Sequence, residues 1–313
     1  MTKRVKLVLV FILSAVVLCE IGYIIKINIV SQNGKSENIQ TPEPLPVVGN
    51  ESNPQDAVLG EAKIIVIDAG HGKPSSLMTD KEKSKYGWVK NLSGEWGEWR
   101  HYKTGSSTED CGGNGCSGRA TPNGGCWYPI DNSDRNTEPD INLKTALAAE
   151  KYLEEMGYTV RMTRTTNEEN PSITRRLSYC YPDNDATKSP EAEAYICIHS
   201  NASGGSNRGT AYIKADGVYD QQWIDKDYAQ KSNTLGKICN DYIVEMTSLD
   251  YYINGEIDHE SELIAFCKAP VPCGYLEIGF FDNSSDFKIL NSESDKIGKA
   301  VAKGVDEFCK THK

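Results

Sequence analysis

The segment KIIVIDAGHG, residues 63–72, decides how this chain folds. The four residues from Ile64 to Ile67 are all β-branched and apolar, and the turn Gly70-His71-Gly72 follows them. A short apolar run that ends in a glycine turn is typical of a strand buried on both faces of a parallel sheet. The sequence therefore predicts a first strand over Lys63–Ala69, with His71 in the turn at its carboxyl end.

Predicted strands and helices alternate from this point to the C-terminus. Short apolar runs predict strands at Thr159–Arg164, Tyr195–His199, Gly209–Ala215 and Tyr275–Phe280. Apolar residues at helical spacing predict helices at Ile141–Met156, Ile173–Tyr181, Tyr228–Met246 and Ser294–Cys309. Pro139 fits the first turn of the first helix, and Gly157 fits its C-terminal end. This alternation predicts an α/β domain on a mostly parallel sheet that is covered on both faces.

Composition excludes several classes of protein. The 34 basic and 44 acidic residues give a net charge of -10. Such a chain is a poor nucleic-acid binder, because contacts to phosphates need clustered Lys and Arg. A length of 313 residues predicts one large catalytic domain with accessory segments. Polytopic membrane architecture is excluded, because only one stretch, near the N-terminus, is apolar enough to span a bilayer.

The N-terminus has the pattern of a membrane anchor. Lys3 and Arg4 precede Val5–Ile25, which is long enough to cross a bilayer that needs about 20 residues. We see no small-residue cleavage site, and Cys19 lacks the small residue expected just ahead of a lipidated cysteine. We therefore expect residues 1–30 to be an uncleaved, single-pass signal anchor in the cell membrane. The catalytic domain would then be extracellular, or secreted if the segment is cleaved.

The remaining chain divides into a linker and one domain with an insertion. Residues 31–61 are rich in Ser, Asn, Gln, Pro and Glu and are predicted to be a disordered linker, ahead of a catalytic domain over 62–313. Residues 73–135 form an insertion rich in Trp, Gly and Cys. It contains Trp88, Trp96, Trp99, Trp127, Cys111, Cys116 and Cys126. Its aromatic residues either pack a small core under a disulfide, or stack on sugar rings or cover the cleft.

The number of cysteines is relevant to whether the protein lies inside or outside the cell. An extracellular location suits ten cysteines, because disulfides persist in oxidising compartments. Nine of them follow Cys19, so at least one stays free. Cys197 lies inside a predicted strand, and we expect it to be a simple buried residue. A structural zinc site from the three cysteines of the insertion with His101 is less favoured than a disulfide, because there is no Cys-x-x-Cys pair.

Three polar residues lie at or near the carboxyl ends of predicted strands, where open α/β sheets bind ligands. They are His71, His199 and Glu277, and Glu138 lies at the start of the first long helix. Two His, one Glu and an open fourth position are a standard ligand set for catalytic zinc, and a further Glu could take a proton from the bound water. Each residue also has an ordinary interpretation: a surface turn for either His, a first-turn acid for Glu138, and an edge strand facing water for Glu277.

Four segments together are similar to a known family. Ile65–Gly72, Glu138–Leu143, Ile198–Ala202 and Leu276–Phe280 resemble, in order, the signature segments of zinc-dependent N-acetylmuramoyl-L-alanine amidases. Arg164-Thr165 and the Arg175-Arg176 region also resemble the segment that precedes the second His of that family. The resemblance extends from Lys63 to the C-terminus apart from the insertion.

This resemblance implies a single α/β domain with a mixed sheet flanked by helices, which hydrolyses the amide between N-acetylmuramic acid and the first L-alanine of peptidoglycan. It implies a Zn2+ cofactor held by His71, Glu138 and His199, with Glu277 as the catalytic base. In that mechanism zinc-bound hydroxide attacks the lactyl carbonyl, and Glu277 passes the proton to the departing amine. Asp68 would orient His71 or have a structural role. Peptidoglycan is the implied substrate, and a regulatory protein is a further candidate partner.

The chain departs from the family pattern in two places. Lys73-Pro74-Ser75 stands where the first motif usually continues with a glycine and an acidic residue, so the Glu ligand comes unusually late. Glu98 and Glu109 therefore stay as alternatives to Glu138, with His101 as a weaker one. Asn254-Gly255-Glu256 occupies the neighbourhood of the Arg-Gly stretch that commonly precedes the last strand.

Two rival functions stay open. A zinc peptidase or deacetylase would keep the metal and attack another cell-wall bond. A catalytically silent wall-binding or regulatory module would keep the fold alone. The retention of all four candidate residues argues against the silent module, which has no need of Glu277 in an apolar strand.

Overall fold

A computed structural model of the protein describes residues 62–91, 93–101, 125–130, 137–215, 226–257 and 269–312. The predicted anchor and linker lie outside these ranges. Among the described residues, no helix has both the length and the apolarity that crossing a membrane requires.

The described strands belong to two sheets. The strands are β1 (Ile64–Ala69), β2 (Val89–Lys90), β3 (Trp96–His101), β4 (Gly125–Pro129), β5 (Thr159–Met162), β6 (Ala192–Asn201), β7 (Thr210–Ile213), β8 (Tyr251–Ile257) and β9 (Cys273–Phe280). Six of them form a sheet in the order β5-β1-β6-β9-β7-β8. The β7–β9 pair is antiparallel and the other neighbours are parallel, so the sheet is mixed but mostly parallel.

The described helices follow the predicted pattern closely. They are α1 (Asp80–Lys85), α2 (Thr137–Glu155), α3 (Ile173–Ser178), α4 (Lys226–Met246), α5 (Ser284–Ser292) and α6 (Ser294–Thr311), with short 3-10 turns at Ser75–Leu77 and Pro182–Asn184. Pro139 lies in the first turn of α2, and Gly157 follows its end in the left-handed conformation (φ 92°). The four predicted helices and five predicted strands are confirmed. The strand β8 and the helix α5 were not predicted, and neither were α1, β2, β3 and β4 within the insertion.

Both faces of the large sheet are covered, as predicted. Alternate residues of the central strands, including Ile67, Ile196 and Leu276, pack against the long helices α2, α4 and α6 on one face. Residues of the opposite parity, including Val66 and Tyr275, lie in a second cluster with the α3 region on the other face. The central parallel strands β1, β6 and β9 therefore end at one edge, and their last residues are brought close together.

The insertion contains more regular structure than expected. The strands β2, β3 and β4 form an antiparallel sheet. Trp88 is buried with Met78 and Ile130, and Trp96 packs at the margin of this cluster. The interpretation as a small satellite core therefore holds for Trp88. The predicted disulfide lies outside the described residues, because Cys111, Cys116 and the side chain of Cys126 are not described.

The cysteines described by the structure are buried and free. They are Cys180, Cys197, Cys239, Cys273 and Cys309. The expectation that Cys197 is a simple buried residue is confirmed. Burial raises the pKa of the Cys180 and Cys239 thiols well above the usual range. These thiols stay protonated at neutral pH and are poor nucleophiles.

Candidate metal centre

His71 lies in the irregular segment directly after β1. Its backbone has φ 59°, in the left-handed region that few residues other than glycine adopt. The preceding residue must be small, because a Cβ atom on Gly70 would lie 2.4 Å from the ring of His199. The sequence Gly70-His71 therefore lets the end of β1 lie directly against the second histidine.

His199 and Glu277 come from neighbouring parallel strands. They lie opposite each other where β6 pairs with β9, near the carboxyl ends of both strands. Tyr275 lies two residues before Glu277, and its ring stacks on the ring of His199 with 4.8 Å between centroids. This stacking holds the plane of the imidazole.

Glu138 completes the cluster from the first turn of α2. Its side chain is buried, and Oε1 lies 3.1 Å from His71 Nε2 and 3.2 Å from His199 Nδ1. The ligand atoms of these three residues, here called the metal triad, all lie within 4.8 Å of one another. Zinc bonds of 2.0–2.1 Å in a tetrahedral arrangement place neighbouring ligand atoms about 3.3 Å apart. The two short distances of the triad fit that spacing.

The charge states of the triad suit a cation. Burial raises the pKa of the Glu138 carboxyl, but hydrogen bonds from His199 and His71 outweigh it and hold this pKa well below its usual range. Burial lowers the pKa of His199, against the opposing hydrogen bond to Glu138. His199 is therefore neutral at neutral pH, which is the form that binds metals.

A family comparison identifies the fold that carries this cluster. The family model described as N-acetylmuramoyl-L-alanine amidase matches residues 65–307, which include the whole triad and Glu277. The chain belongs to the N-acetylmuramoyl-L-alanine amidase family. It is a peptidoglycan amidase, and the family and the enzyme class predicted from the sequence are confirmed.

The amidase is similar to solved structures at low sequence identity. The N-acetylmuramyl-L-alanine amidase Ami1 from Mycobacterium smegmatis is 17% identical with a TM-score of 0.51, over 80% of this chain and 98% of that chain. Cwp6 from Clostridium difficile is 22% identical with a TM-score of 0.46, over 79% of this chain and 29% of Cwp6. The chain thus spans less than a third of the length of Cwp6. A search of curated protein sequences finds no match.

Asn142 and Ser200 surround the carboxylate of the amidase triad. The Asn142 amide Nδ2 donates to Glu138 Oε1 and to the Gly70 carbonyl, each at 3.4 Å. Ser200 Oγ donates to Asn142 Oδ1 at 3.1 Å, which fixes the orientation of the amide. Sequence reasoning missed both side chains, although Asn142 lies one helical turn after Glu138 and on the buried face of α2.

Arg164 joins the segments that carry His71 and Glu138. Its Nη2 donates to the carbonyls of Gly70 at 2.9 Å and of Pro139 at 2.7 Å, and its Nε donates to Ala69 at 2.8 Å. Burial, helped by neighbouring Arg176, lowers the pKa of Arg164 to about 9, so the guanidinium is charged at neutral pH. The sequence placed this arginine in a resembling segment and gave it no role.

Asp68 reaches His71 through a second arginine. Its Oδ1 accepts hydrogen bonds from Thr163 Oγ1 at 2.6 Å and from Arg176 Nη1 at 2.5 Å. Arg176 Nη2 in turn donates to the His71 carbonyl at 2.6 Å. Burial raises the pKa of Asp68, but the charge of Arg176 and the Thr163 hydroxyl outweigh it and lower this pKa. Hydrogen bonds through Arg176 therefore connect Asp68 to the His71 backbone, and the orienting role of Asp68 stays a prediction.

The structure also places one of the alternative ligands. Glu98 is buried on β3, and its carboxylate accepts hydrogen bonds from the backbone of Ile173 and Thr174. Among the described side chains it is not grouped with the triad. Glu109 and the side chain of His101 lie outside the described part of the chain.

Proposed function

We propose that the amidase uses a zinc ion held by His71, Glu138 and His199, with Glu277 as the catalytic base. The observation that carries this proposal is the convergence of two imidazoles and one buried carboxylate within 4.8 Å at one edge of the sheet. Two His and one Glu are the ligand set of several catalytic zinc sites. A zinc ion bound there would polarise the scissile carbonyl and supply a nucleophile from water at neutral pH.

The protein residues give the site its charge and orientation. Glu138 contributes the one negative charge of the triad, and its burial excludes competing water from that carboxylate. His199 is held by Tyr275, and Glu138 by Asn142, so neither ligand has to be ordered when a cation binds. This preorganisation favours a tight site for a small divalent cation.

Glu277 is the candidate for proton transfer. It lies opposite His199 on the neighbouring strand, and its backbone carbonyl accepts a hydrogen bond from Thr210 Oγ1 at 3.1 Å. We propose that its carboxylate takes a proton from the attacking water and delivers it to the L-alanine amine as the amide C–N bond breaks. General acid–base catalysis of this kind contributes about 10²–10⁴-fold to the rate.

We also propose the organisation and location expected from the sequence. Residues 1–30 would anchor the protein in the cell membrane, 31–61 would form the linker, and 62–313 would be the extracellular catalytic domain with its insertion at 73–135. The basic residues ahead of an apolar stretch support this orientation. A regulatory protein partner stays a prediction.

Digestion of purified peptidoglycan by the full-length chain tests the proposed bond. Mass spectrometry of the products should identify free stem peptides that begin with L-alanine, alongside intact glycan strands. The Glu277→Gln variant serves as the inactive control. Cut glycan or cut cross-bridges would contradict the bond assignment, and an absence of any new termini would favour the silent module.

A further inference from the structure

The inserted sheet is fastened to the short helix α3 by a buried carboxylate. Glu98, on the central strand β3, accepts hydrogen bonds from the N–H groups of Ile173 at 3.3 Å and Thr174 at 3.1 Å. The next N–H group, of Arg175, donates to Ser172 Oγ at 3.3 Å. First-turn N–H groups have no acceptor within their own helix. Two of these three N–H groups, those of Ile173 and Thr174, therefore depend on the Glu98 side chain of the insertion.

Further contacts join the insertion to the segment that leads into α3. Trp88 Nε1 donates to the Asn170 carbonyl at 2.7 Å, and the Ser172 N–H donates to the Tyr86 carbonyl at 2.9 Å. Asn170 Nδ2 donates back to the Lys73 carbonyl at 3.0 Å. These bonds connect residues about 80–100 positions apart in the sequence. The insertion is therefore packed against residues 170–176 and is not merely tethered at its ends.

The helix α3 carries Arg176, which contacts the segment that contains His71. Arg176 is buried, and its Nη1 donates to Asp68 Oδ1 and to the Ala69 carbonyl, while Nη2 donates to the His71 carbonyl at 2.6 Å. Its Nε returns to the Pro171 carbonyl, just ahead of α3, at 2.8 Å. Hydrogen bonds from Nε, Nη1 and Nη2 therefore hold the guanidinium in place.

His71 needs such support because its conformation is unfavourable in isolation. A residue other than glycine in the left-handed region persists when the surrounding structure holds it there. The bond from Arg176 acts directly on the carbonyl of that residue. A change in the position of α3 would change the position of this donor relative to the His71 carbonyl.

We infer that the inserted sheet positions a metal ligand: Glu98 holds the first turn of α3, and α3 holds Arg176 on the carbonyl of His71. Glu98 and Arg176 are positioning residues, and the insertion is a support for the active site. This inference rests on the proposed metal site. It gives a role to the glutamate that the sequence left open as an alternative ligand.

The test is a double-mutant cycle on zinc affinity with the full-length chain. Zn2+ is titrated into the apoprotein in competition with a chromogenic chelator, for wild type, Glu98→Ala, Arg176→Lys and the double variant. We expect each single change to weaken zinc binding roughly tenfold, the lower end of the effect of residues that support metal ligands. If Glu98 acts through Arg176, the double variant binds no more weakly than Arg176→Lys alone.

A second readout and a matched control separate positioning from general damage. The visible spectrum of the Co2+-substituted protein should change in both single variants, because it reports the geometry of the metal site. Asp80→Asn is the control, since among the described residues this carboxylate accepts hydrogen bonds from Lys90 and Trp96, both within the insertion, and it should leave both readouts unchanged. Where Glu98→Ala does not fold, Glu98→Gln replaces it in the cycle.

The outcomes distinguish this inference from the proposed metal site. Failure of wild type to bind zinc would refute the site and the inference together. Wild-type zinc affinity in a folded Glu98 variant, or losses in the two single variants that simply add, would refute the inference and leave the metal site standing.

Discussion

Replacing Asp68 with asparagine tests the buried ion pair beneath the metal triad. Asp68 and Arg176 are 2% and 3% exposed, and their atoms Oδ1 and Nη1 are 2.5 Å apart. Removing one partner of a buried pair costs about 3–5 kcal/mol, because the other charge is left uncompensated. Asparagine keeps the volume and one oxygen, and Arg176 keeps three carbonyl acceptors. We therefore expect Asp68→Asn to lower the free energy of unfolding by about 3 kcal/mol at pH 7, the lower end of that range.

The loss should depend on pH in a defined direction. The pKa of Asp68 is lowered in the folded state from 3.8, so its contribution to stability is fully present above that value. It is lost as the pH falls through the folded-state pKa. The difference between wild type and variant should therefore shrink as the pH falls from 5 towards 3.

Urea denaturation of the full-length chain, followed by circular dichroism in the presence of EDTA, measures these free energies of unfolding. Asp250→Asn is the matched control, because the Arg208–Asp250 pair is exposed and should contribute about 1 kcal/mol or less. A loss below about 1 kcal/mol for Asp68→Asn at pH 7 would refute the reasoning, since it would equal that of an exposed pair. A loss that stays constant down to pH 3 would refute it as well.

Three further predictions concern the site and the helix packing. Glu277→Gln should keep zinc bound and lower turnover of peptidoglycan by about 10²–10⁴-fold; normal turnover would remove its assigned role. His199→Ala should lose its zinc during a dialysis in which wild type keeps it, and metal analysis of the two dialysed proteins measures this difference. Zinc bound at full affinity in the variant would mean that the ligand set is wrong. Gly298→Ala should cost about 1–3 kcal/mol in urea denaturation, because the added Cβ would lie 2.7 Å from Ala149 N in α2. The exposed change Lys299→Ala, which removes the contact of its Nζ with the Tyr152 ring, should cost no more than about 1 kcal/mol, and a loss as large as that of Gly298→Ala would exclude the packing explanation.

The sequence predicted the central elements because their apolar patterns are strong. The consecutive apolar side chains of Ile64–Ile67 are buried when the strand is covered on both faces. The end of that strand places His71 at the edge of the sheet. The strand β8 escaped prediction because it is an edge strand with Ile253 and Asn254 exposed, so it has no continuous apolar run. The helix α5 is only nine residues long, and Phe287 on it is exposed.

The residues of the candidate site were easier to propose from the sequence than the residues that contact them. His71 follows an apolar strand, and His199 and Glu277 lie near the carboxyl ends of two others, where a polar residue is conspicuous in the sequence. Asn142 and Arg176 lie on helices, where a polar residue usually faces solvent and gives no signal. The role of Glu98 depends on contacts with residues 75 and 76 positions away, which no local pattern records.

X-ray absorption spectroscopy of the zinc-loaded, full-length chain tests the central claim most directly. Two imidazole nitrogens and light oxygen ligands at about 2.0–2.1 Å, with no sulfur, are the first coordination shell that the triad predicts. Sulfur at about 2.3 Å would place the zinc on cysteines and would contradict the assignment of His71, Glu138 and His199.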